Sequence, residues 1–426
     1  MNRFLYTLLL YLLTPFILLK LLWRSRKAPA YGRRWCERFG FFRPLPADKP
    51  VIWVHAVSVG ETIASAPLVK ALMERYPDYR CLVTTMTPTG SDRVKAIYGE
   101  TVEHVYIPYD LPGAQERFLN RVNPEVAIFI ETELWPNTIA ACHKRNIPVI
   151  IANARLSERS AKGYKKLGSL TRSLMKQLSV VACQNKEDGQ RFIDLGLPPE
   201  NLEITGSVKF DISVDKGIQE EAQQLKKQWQ QGLDRNCRIF IAASTHDGED
   251  QAILDAFKQL REQYQDLLLV LVPRHPERFD SVYELIKQNG FVVARHSQGT
   301  ALSADTQVVL ADTMGELLKL CGVADIAFVG GSLIERGGHN ILEPAVWGIP
   351  VLSGPHVFNF KDICQSLEKA GGLIIVDDGE QLVTAIKKLL DNREYLEATG
   401  NNGELFIARN RGALKRLQAI IAGYLQ

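Results

Sequence analysis

The stretch Ile326-Ala327-Phe328-Val329-Gly330-Gly331-Ser332, followed after a short linker by Gly337-Gly338-His339-Asn340-Ile341-Leu342-Glu343, decides the fold. A short apolar run breaks on one glycine pair, a loop follows, and a second pair opens it further. Glu343 then falls in the first turn of an expected helix. Strand, glycine loop and helix start is the arrangement that brings backbone N–H groups and a helix N-terminus to an anionic ligand. A carboxylate in that turn would repel a lone phosphate, but it accepts hydrogen bonds from sugar hydroxyls such as those of a ribose. The stretch therefore predicts a nucleotide-sugar site at the C-terminal end of a parallel strand. The plainer alternative is a tight loop that carries glycine for steric reasons alone.

Outward from this stretch, 426 residues, 46% apolar and 23% charged, suit a globular chain with room for two domains. The net charge of +3 is unevenly placed: ten Lys/Arg against Glu37 and Asp48 give the first 50 residues +8 and leave −5 for the rest. That asymmetry points to an anionic surface near the N-terminus. The seven cysteines are scattered without a CxxC pair, and read as reduced, buried thiols of a cytosolic body. The eight histidines form no HxxxH or HExxH pair, so no protein-held metal is expected.

Phe4 to Trp23 is almost wholly apolar, interrupted by Thr7, Thr14, Pro15 and Lys20. Twenty residues at ~1.5 Å each can just cross a ~30 Å hydrocarbon core. Arg3 precedes the run, whereas Arg24, Arg26, Lys27, Arg33, Arg34 and Arg38 follow it. The positive-inside bias then places the body in the cytoplasm. The run is too long for a signal peptide and lacks a small-residue cleavage site. A spanning anchor is the expectation, with a helix lying in the interface as the alternative raised by Pro15 and Lys20. On either reading the anchor fixes location while the chemistry sits in the body. Behind it, Tyr31 to Arg43 mixes cations with aromatics, which suits anionic lipid or an anionic, lipid-anchored substrate.

From Val51 onward, apolar β-type runs alternate with helical patterns, the mark of parallel α/β layers. Seven runs from Val51–His55 to Leu202–Thr205 make a first half. Seven from Arg238–Ala242 to Leu373–Val376 make a second. The expected organisation is an anchor over 1–27, a domain over 28–212, a polar connection over 213–236 that is helical over 219–231, a second domain over 237–402 and an amphipathic helix over 403–426 that packs back on the first half. Two such halves imply a cleft onto which the strand C-terminal ends open. Polar clusters fall at those ends: Ser58–Glu61, Thr84–Gly90, Glu131–Glu133, Ser244–His246, Pro273–His275 and Gly330–Glu343.

Each motif has two readings. In Ser58-Val59-Gly60-Glu61, the glutamate either serves chemistry or favours the helix dipole. Ala56-x-Ser58-x-Gly60 is one residue short of a hydrolase nucleophile elbow, and no triad partners stand where that fold needs them. Glu131 and Glu133 can bind sugar hydroxyls or simply start a helix. Arg274, on a loop stiffened by Pro273 and Pro276, is placed to grip a phosphate through its bidentate guanidinium. Asp312-Thr313-Met314-Gly315-Glu316 reads as a helix start that either meets ligand or caps itself. The absence of a Walker A sequence and of GxGxxG after the first strand disfavours P-loop NTPases and dinucleotide oxidoreductases. Basic–aromatic interleaving occurs only beside the membrane segment, which disfavours nucleic acid.

Taken in order, the apolar segment with Arg26-Lys27-Ala28-Pro29-Ala30-Tyr31, then His55–Glu61, Glu131-Thr132-Glu133-Leu134-Trp135-Pro136, Ala152-Asn153-Ala154-Arg155-Leu156-Ser157, Gly206-Ser207-Val208-Lys209-Phe210-Asp211, Val272–Arg278 and Gly337–Glu343 closely resemble the 3-deoxy-D-manno-octulosonic acid (Kdo) transferases of lipopolysaccharide biosynthesis, enterobacterial type. The resemblance covers essentially the whole chain. It implies an α/β GT-B fold: two Rossmann-like, doubly wound domains facing a central cleft, with an N-terminal membrane helix. It implies inverting transfer of Kdo from CMP-Kdo to the lipid A precursor, lipid IVA, on the cytoplasmic side of the bacterial inner membrane, with no cofactor and no metal. By the resemblance Glu61 matches the general base, and Pro273, Arg274, Met314, Gly315, Glu316, Asn340, Ile341, Leu342 and Glu343 match the CMP-binding segments. Ser58, Gly60, Glu131, Glu133 and Lys209 are acceptor-side candidates. Three alternatives remain: another membrane-associated GT-B nucleotide-sugar enzyme, a tethered binding scaffold without turnover, and a serine hydrolase using Ser58.

Overall fold

The computed structural model describes residues 1–299 and 302–425, and its chain divides into two units, Met1–Asp211 with Arg411–Gln426, and Ile212–Asn410. In the first unit the apolar runs form β1 (Val51–His55), β2 (Arg80–Thr85), β3 (Glu103–Tyr106), β4 (Pro124–Ile130), β5 (Val149–Ala154), β6 (Val180–Cys183) and β7 (Leu202–Ile204). They pair in parallel in the order β3-β2-β1-β4-β5-β6-β7. The second unit holds β8 (Arg238–Thr245), β9 (Leu267–Pro273), β10 (Val293–Arg295), β11 (Val308–Leu310), β12 (Ile326–Val329), β13 (Val351–Ser353) and β14 (Leu373–Ile375), in the order β10-β11-β9-β8-β12-β13-β14. Both sheets are doubly wound and Rossmann-like. Helices cover both faces, so alternate residues of one strand serve two cores: Val51 and Trp53 pack in one layer, Ile52 and Val54 in the other.

Strand order reverses between β1 and β4 in the first sheet and between β8 and β12 in the second. A crevice opens at such a switch point, outside the strand C-termini. The loops carrying Glu61 and Glu131 leave β1 and β4, and those carrying His246 and Gly330–Glu343 leave β8 and β12.

Two segments differ from the sequence reading. The helix expected within the connection forms as Lys216–Leu233, but it is no mere linker: its Ala222, Trp229 and Leu233 are buried in a core of the second unit. The expected single C-terminal helix is broken at Gly412, where φ is +99°. Its first part, Arg393–Asn410, belongs to the second unit. Its second, Ala413–Ala422, buries Ala413, Leu417 and Ile421 in the first. Asp211 secures that return by accepting the amides of Gly412 and Leu414, each at 2.6 Å, which gives this carboxylate a structural role.

The N-terminal run forms α1 (Arg3–Lys27), which among the described residues is the one helix long and apolar enough to cross a membrane. It does not stand apart from the body. The Leu170 amide donates to the Met1 carbonyl at 2.9 Å. Tyr6 Oη donates to Asp110 at 3.0 Å, and Thr7 Oγ1 to Asn137 at 3.1 Å. From Tyr6 to Leu21 the shielded positions are Tyr6, Thr7, Leu10, Thr14, Ile17, Leu18 and Leu21, whose helical spacing makes one stripe. Phe4, Leu12, Phe16, Leu19 and Trp23 are exposed on the remainder. Of the seven cysteines six are buried, but Cys36 is exposed.

Candidate functional site

In the first unit β1 ends in a turn that starts α2 (Val59–Arg75). Ser58 caps that helix, its Oγ accepting the Glu61 amide at 3.3 Å. Glu61 reaches back: Oε2 accepts the Val57 amide at 2.6 Å and Oε1 the Ser58 hydroxyl at 3.1 Å. This is a capping box in which the glutamate reaches one residue past the cap, to the Val57 amide, and its Ser-x-x-Glu spacing is legible in the sequence. The same contacts leave Ser58 without a histidine partner among the described residues, and His55, buried, bonds Thr84 instead. The hydrolase reading has no nucleophile–base pair here.

Beyond its cap role, Glu61 is chemically unusual. Burial pushes its pKa up to about 7, the Val57 amide opposes this, and the nearby Glu133 and Glu131 carboxylates add to it. A helix N-terminus alone would lower it, so desolvation outweighs the dipole here. Glu133 is also raised by burial, and Trp135 Nε1 donates to it at 2.8 Å. Glu131 follows β4 with φ +61°, a left-handed conformation that a non-glycine residue holds at a cost of ~1–3 kcal/mol. Burial lowers the Lys209 pKa, and the Glu131 charge counters that, so the lysine sits beside the carboxylate group. Glu61, Glu131, Glu133 and Lys209 are thus brought together, with Gly60 exposed beside them.

In the second unit the glycine loop is organised by a residue that sequence reasoning missed. Glu249, fully buried, accepts the amides of Gly331 (2.7 Å) and His246 (3.0 Å) on Oε2, and those of Ser332 (2.9 Å) and Leu333 (3.0 Å) on Oε1. The amides expected to meet a ligand are therefore committed within the protein. Gly330 has no room for a side chain, since a Cβ would lie 2.8 Å from the Ser244 carbonyl. The expected helix start is also short. It is a single turn, Leu342–Ala345, whose first amide donates to Asn340 Oδ1 at 3.2 Å. Ile341 and Leu342 are buried core residues, so they can offer a ligand only backbone.

What remains open to a ligand is a side-chain group. Asn340 Nδ2 donates to Glu343 at 3.0 Å, and burial raises the Glu343 pKa while Asn340 and Arg274 restrain it. Arg274 is exposed and no carboxylate among the described residues pairs with it. Its neighbour Arg278 is locked to the buried Asp250 and the Thr245 carbonyl. His246 and His339 share a 2.7 Å Nε2–Nε2 hydrogen bond with rings parallel to within 7°. Burial, then the neighbouring His246, Arg274 and His275, pushes His339 down to about 4, so at neutral pH the permanent positive charge of the group is Arg274. Pro273 closes β9 and aims that loop. Met314 is exposed and Gly315 has φ +84°, while Glu316 is taken up by Lys319 and, at 3.4 Å, His296. These last three share the strand C-terminal edge with Arg274 because β11 is next to β9.

Residues 33–212 match the family model described as 3-deoxy-D-manno-octulosonic-acid transferase (kdotransferase), and residues 221–406 match glycosyl transferases group 1. The chain is 45% identical over 428 residues to the 3-deoxy-D-manno-octulosonic acid transferase of Haemophilus influenzae, covering 100% of this chain and 99% of the relative. Among solved structures, the C-terminal CMP-Kdo binding domain of an Acinetobacter baumannii protein is 38% identical, covering 44% of this chain and 97% of that one, with a TM-score of 0.42. A glycosyltransferase from Rickettsia africae, 12% identical, covers 89% of this chain and 99% of its own, with a TM-score of 0.57, and shows the two-domain GT-B fold.

Proposed function

The chain belongs to the Kdo transferases, which are glycosyltransferases, and on that premise we propose that it transfers Kdo from CMP-Kdo to the lipid A precursor with inversion, Glu61 acting as general base. The observation that carries the reading is the half-buried Glu61 carboxyl, held by Val57 and Ser58 with its pKa pushed up to about 7. A base tuned near the working pH combines a useful ionised fraction with real proton affinity. The acceptor hydroxyl gives its proton to Glu61 as its oxygen bonds the anomeric carbon, and the electron pair of the breaking bond leaves with CMP. Lys209 and the carboxylates Glu131 and Glu133 hold the acceptor sugar through its hydroxyls.

On the donor side Arg274 grips the phosphate, and the Asn340–Glu343 pair takes the ribose hydroxyls. Arg274→Ala should raise the CMP-Kdo KM about ten- to a hundredfold, the loss of a charge-assisted contact of roughly 1.5–3 kcal/mol. Arg274→Lys should recover part of that, because an ammonium cannot make the planar pair. Steady-state kinetics at saturating acceptor reads both, and an unchanged donor KM removes Arg274 from the site. Incubation of the protein with CMP-Kdo and lipid IVA tests the whole reading. A mass increase of one or more Kdo units with an inverted anomeric centre by NMR is expected, and an unmodified acceptor overturns it.

A further inference from the structure

Between α1 and the rest of the first unit lies a cavity of about 620 Å³, within the roughly 300–1,000 Å³ of small-ligand sites. Along α1 its wall is apolar, from Leu10, Ile17 and Leu21. Lys20, Arg24 and Arg38 stand at the end of that wall, and no carboxylate among the described residues pairs with any of them. Arg38 is the decisive group. It is 3% exposed, its Nη1 donates to the Met86 carbonyl at 3.1 Å, and its guanidinium lies 4.4 Å over the Tyr106 ring and beside the Tyr109 hydroxyl. Among the described residues, however, its Nε has no hydrogen-bond partner and no anion neutralises it. A guanidinium is rarely buried without an anion, since desolvating it is costly and its fork is made for carboxylate or phosphate. Val57, Thr132 and Glu133 also line the cavity, so it reaches the loop that holds Glu61.

We propose that this cavity is an acceptor subsite, which takes a phosphate of a membrane glycolipid at Lys20, Arg24 and Arg38 and an acyl chain along Leu10, Ile17 and Leu21. It rests on the transferase reading and adds to it that α1 is a wall of the site. The helix is therefore more than an address. Met1 ahead of it is bonded to Leu170, its Tyr6 and Thr7 to Asp110 and Asn137, and Arg24 near its other end lies 5.0 Å over the Tyr31 ring, so α1 runs along the flank of this unit. Its exposed Phe4, Leu12, Phe16, Leu19 and Trp23 then meet lipid side-on, as in a helix lying in the interface. A lipid enters such a cavity from the bilayer without leaving it.

Lys20 and Arg24 are exposed, so the double substitution Lys20→Gln/Arg24→Gln leaves the fold in place. It should raise the acceptor KM about tenfold or more with the CMP-Kdo KM unchanged, and that difference should vanish on an acceptor stripped of its phosphates. Ile17→Trp, which fills the apolar wall, should raise the KM for the acylated acceptor and not for a deacylated one. An acceptor KM unmoved in both variants overturns the subsite while wild-type turnover keeps the transferase reading. Equal loss of binding to phosphatidylglycerol vesicles with the acceptor KM unmoved also overturns it, by making the cations a membrane contact. Absence of wild-type turnover would count against the transferase reading. Lipid IVA binding without donor, weaker in the double variant or equal to wild type, then still decides the subsite.

Discussion

Glu61→Gln should lower kcat by a factor of about 10² to 10⁴ and leave CMP-Kdo binding nearly intact, since it removes a proton acceptor and little else. Glutamine serves at this position of a capping box as glutamate does: its carbonyl keeps the Val57 amide, and its NH2 can donate to the Ser58 oxygen in place of accepting that hydroxyl. The pH dependence separates chemistry from structure. In the wild type, kcat/KM should rise with pH through about 7, where the free protein's Glu61 loses its proton, and this limb should be absent from the residual activity of the glutamine variant. Stability should move the other way. The folded-state pKa lies above the ordinary 4.5, so the favourable contribution is present below 4.5 and is lost as pH rises through about 7. Glu61→Gln should therefore match or exceed the wild-type unfolding temperature at pH 8. A folded variant with wild-type kcat would return Glu61 to a cap and nothing more.

That pairing of roles explains why the first-unit site was only half legible in the sequence. Ser58-x-x-Glu61 spells a cap, and the pattern is local, so it can be read. The elevated pKa comes first from burial, which only the fold creates, and then from Glu133 and Glu131, some seventy residues further on. Strands were readable for the same local reason. β1 and β12 coincide with their apolar runs to the residue, β12 because Asp325 and Gly330 bound it on both sides. The break at Gly412 was not, since the amphipathic pattern runs through it and the reason for the break is the distant Asp211. α1 shows how one pattern can support two structures. Thr7 and Thr14 read as interruptions of a membrane span, whereas in the fold they belong to the stripe turned to the body.

Glu249 is the clearest case of a residue hidden from the sequence, and its replacement should have the largest effect on stability. An acid in the first turn of the helix Glu249–Gln263 looks like one more favourable dipole contact. Its four hydrogen bonds instead reach His246 and, more than eighty residues away, Gly331, Ser332 and Leu333. All four of these partners are backbone N–H groups. Glu249→Ala leaves those donors unpaired around a fully buried site and should destabilise the second unit by on the order of 3–5 kcal/mol. For a unit of this size that lowers its unfolding temperature by about 6–20 °C. Glutamine should not rescue it. Each carboxylate oxygen accepts two amides, so whichever oxygen becomes NH2 turns donor against donor. Differential scanning calorimetry of both variants, with CMP-Kdo affinity measured well below the transition, reads the consequence. Donor affinity should fall too, because the loop carrying Asn340 and Glu343 begins at the residues Glu249 holds. A glutamine variant that unfolds at the wild-type temperature would mean that the loop amides are free, and would return them to the ligand for which the glycine pairs first suggested them.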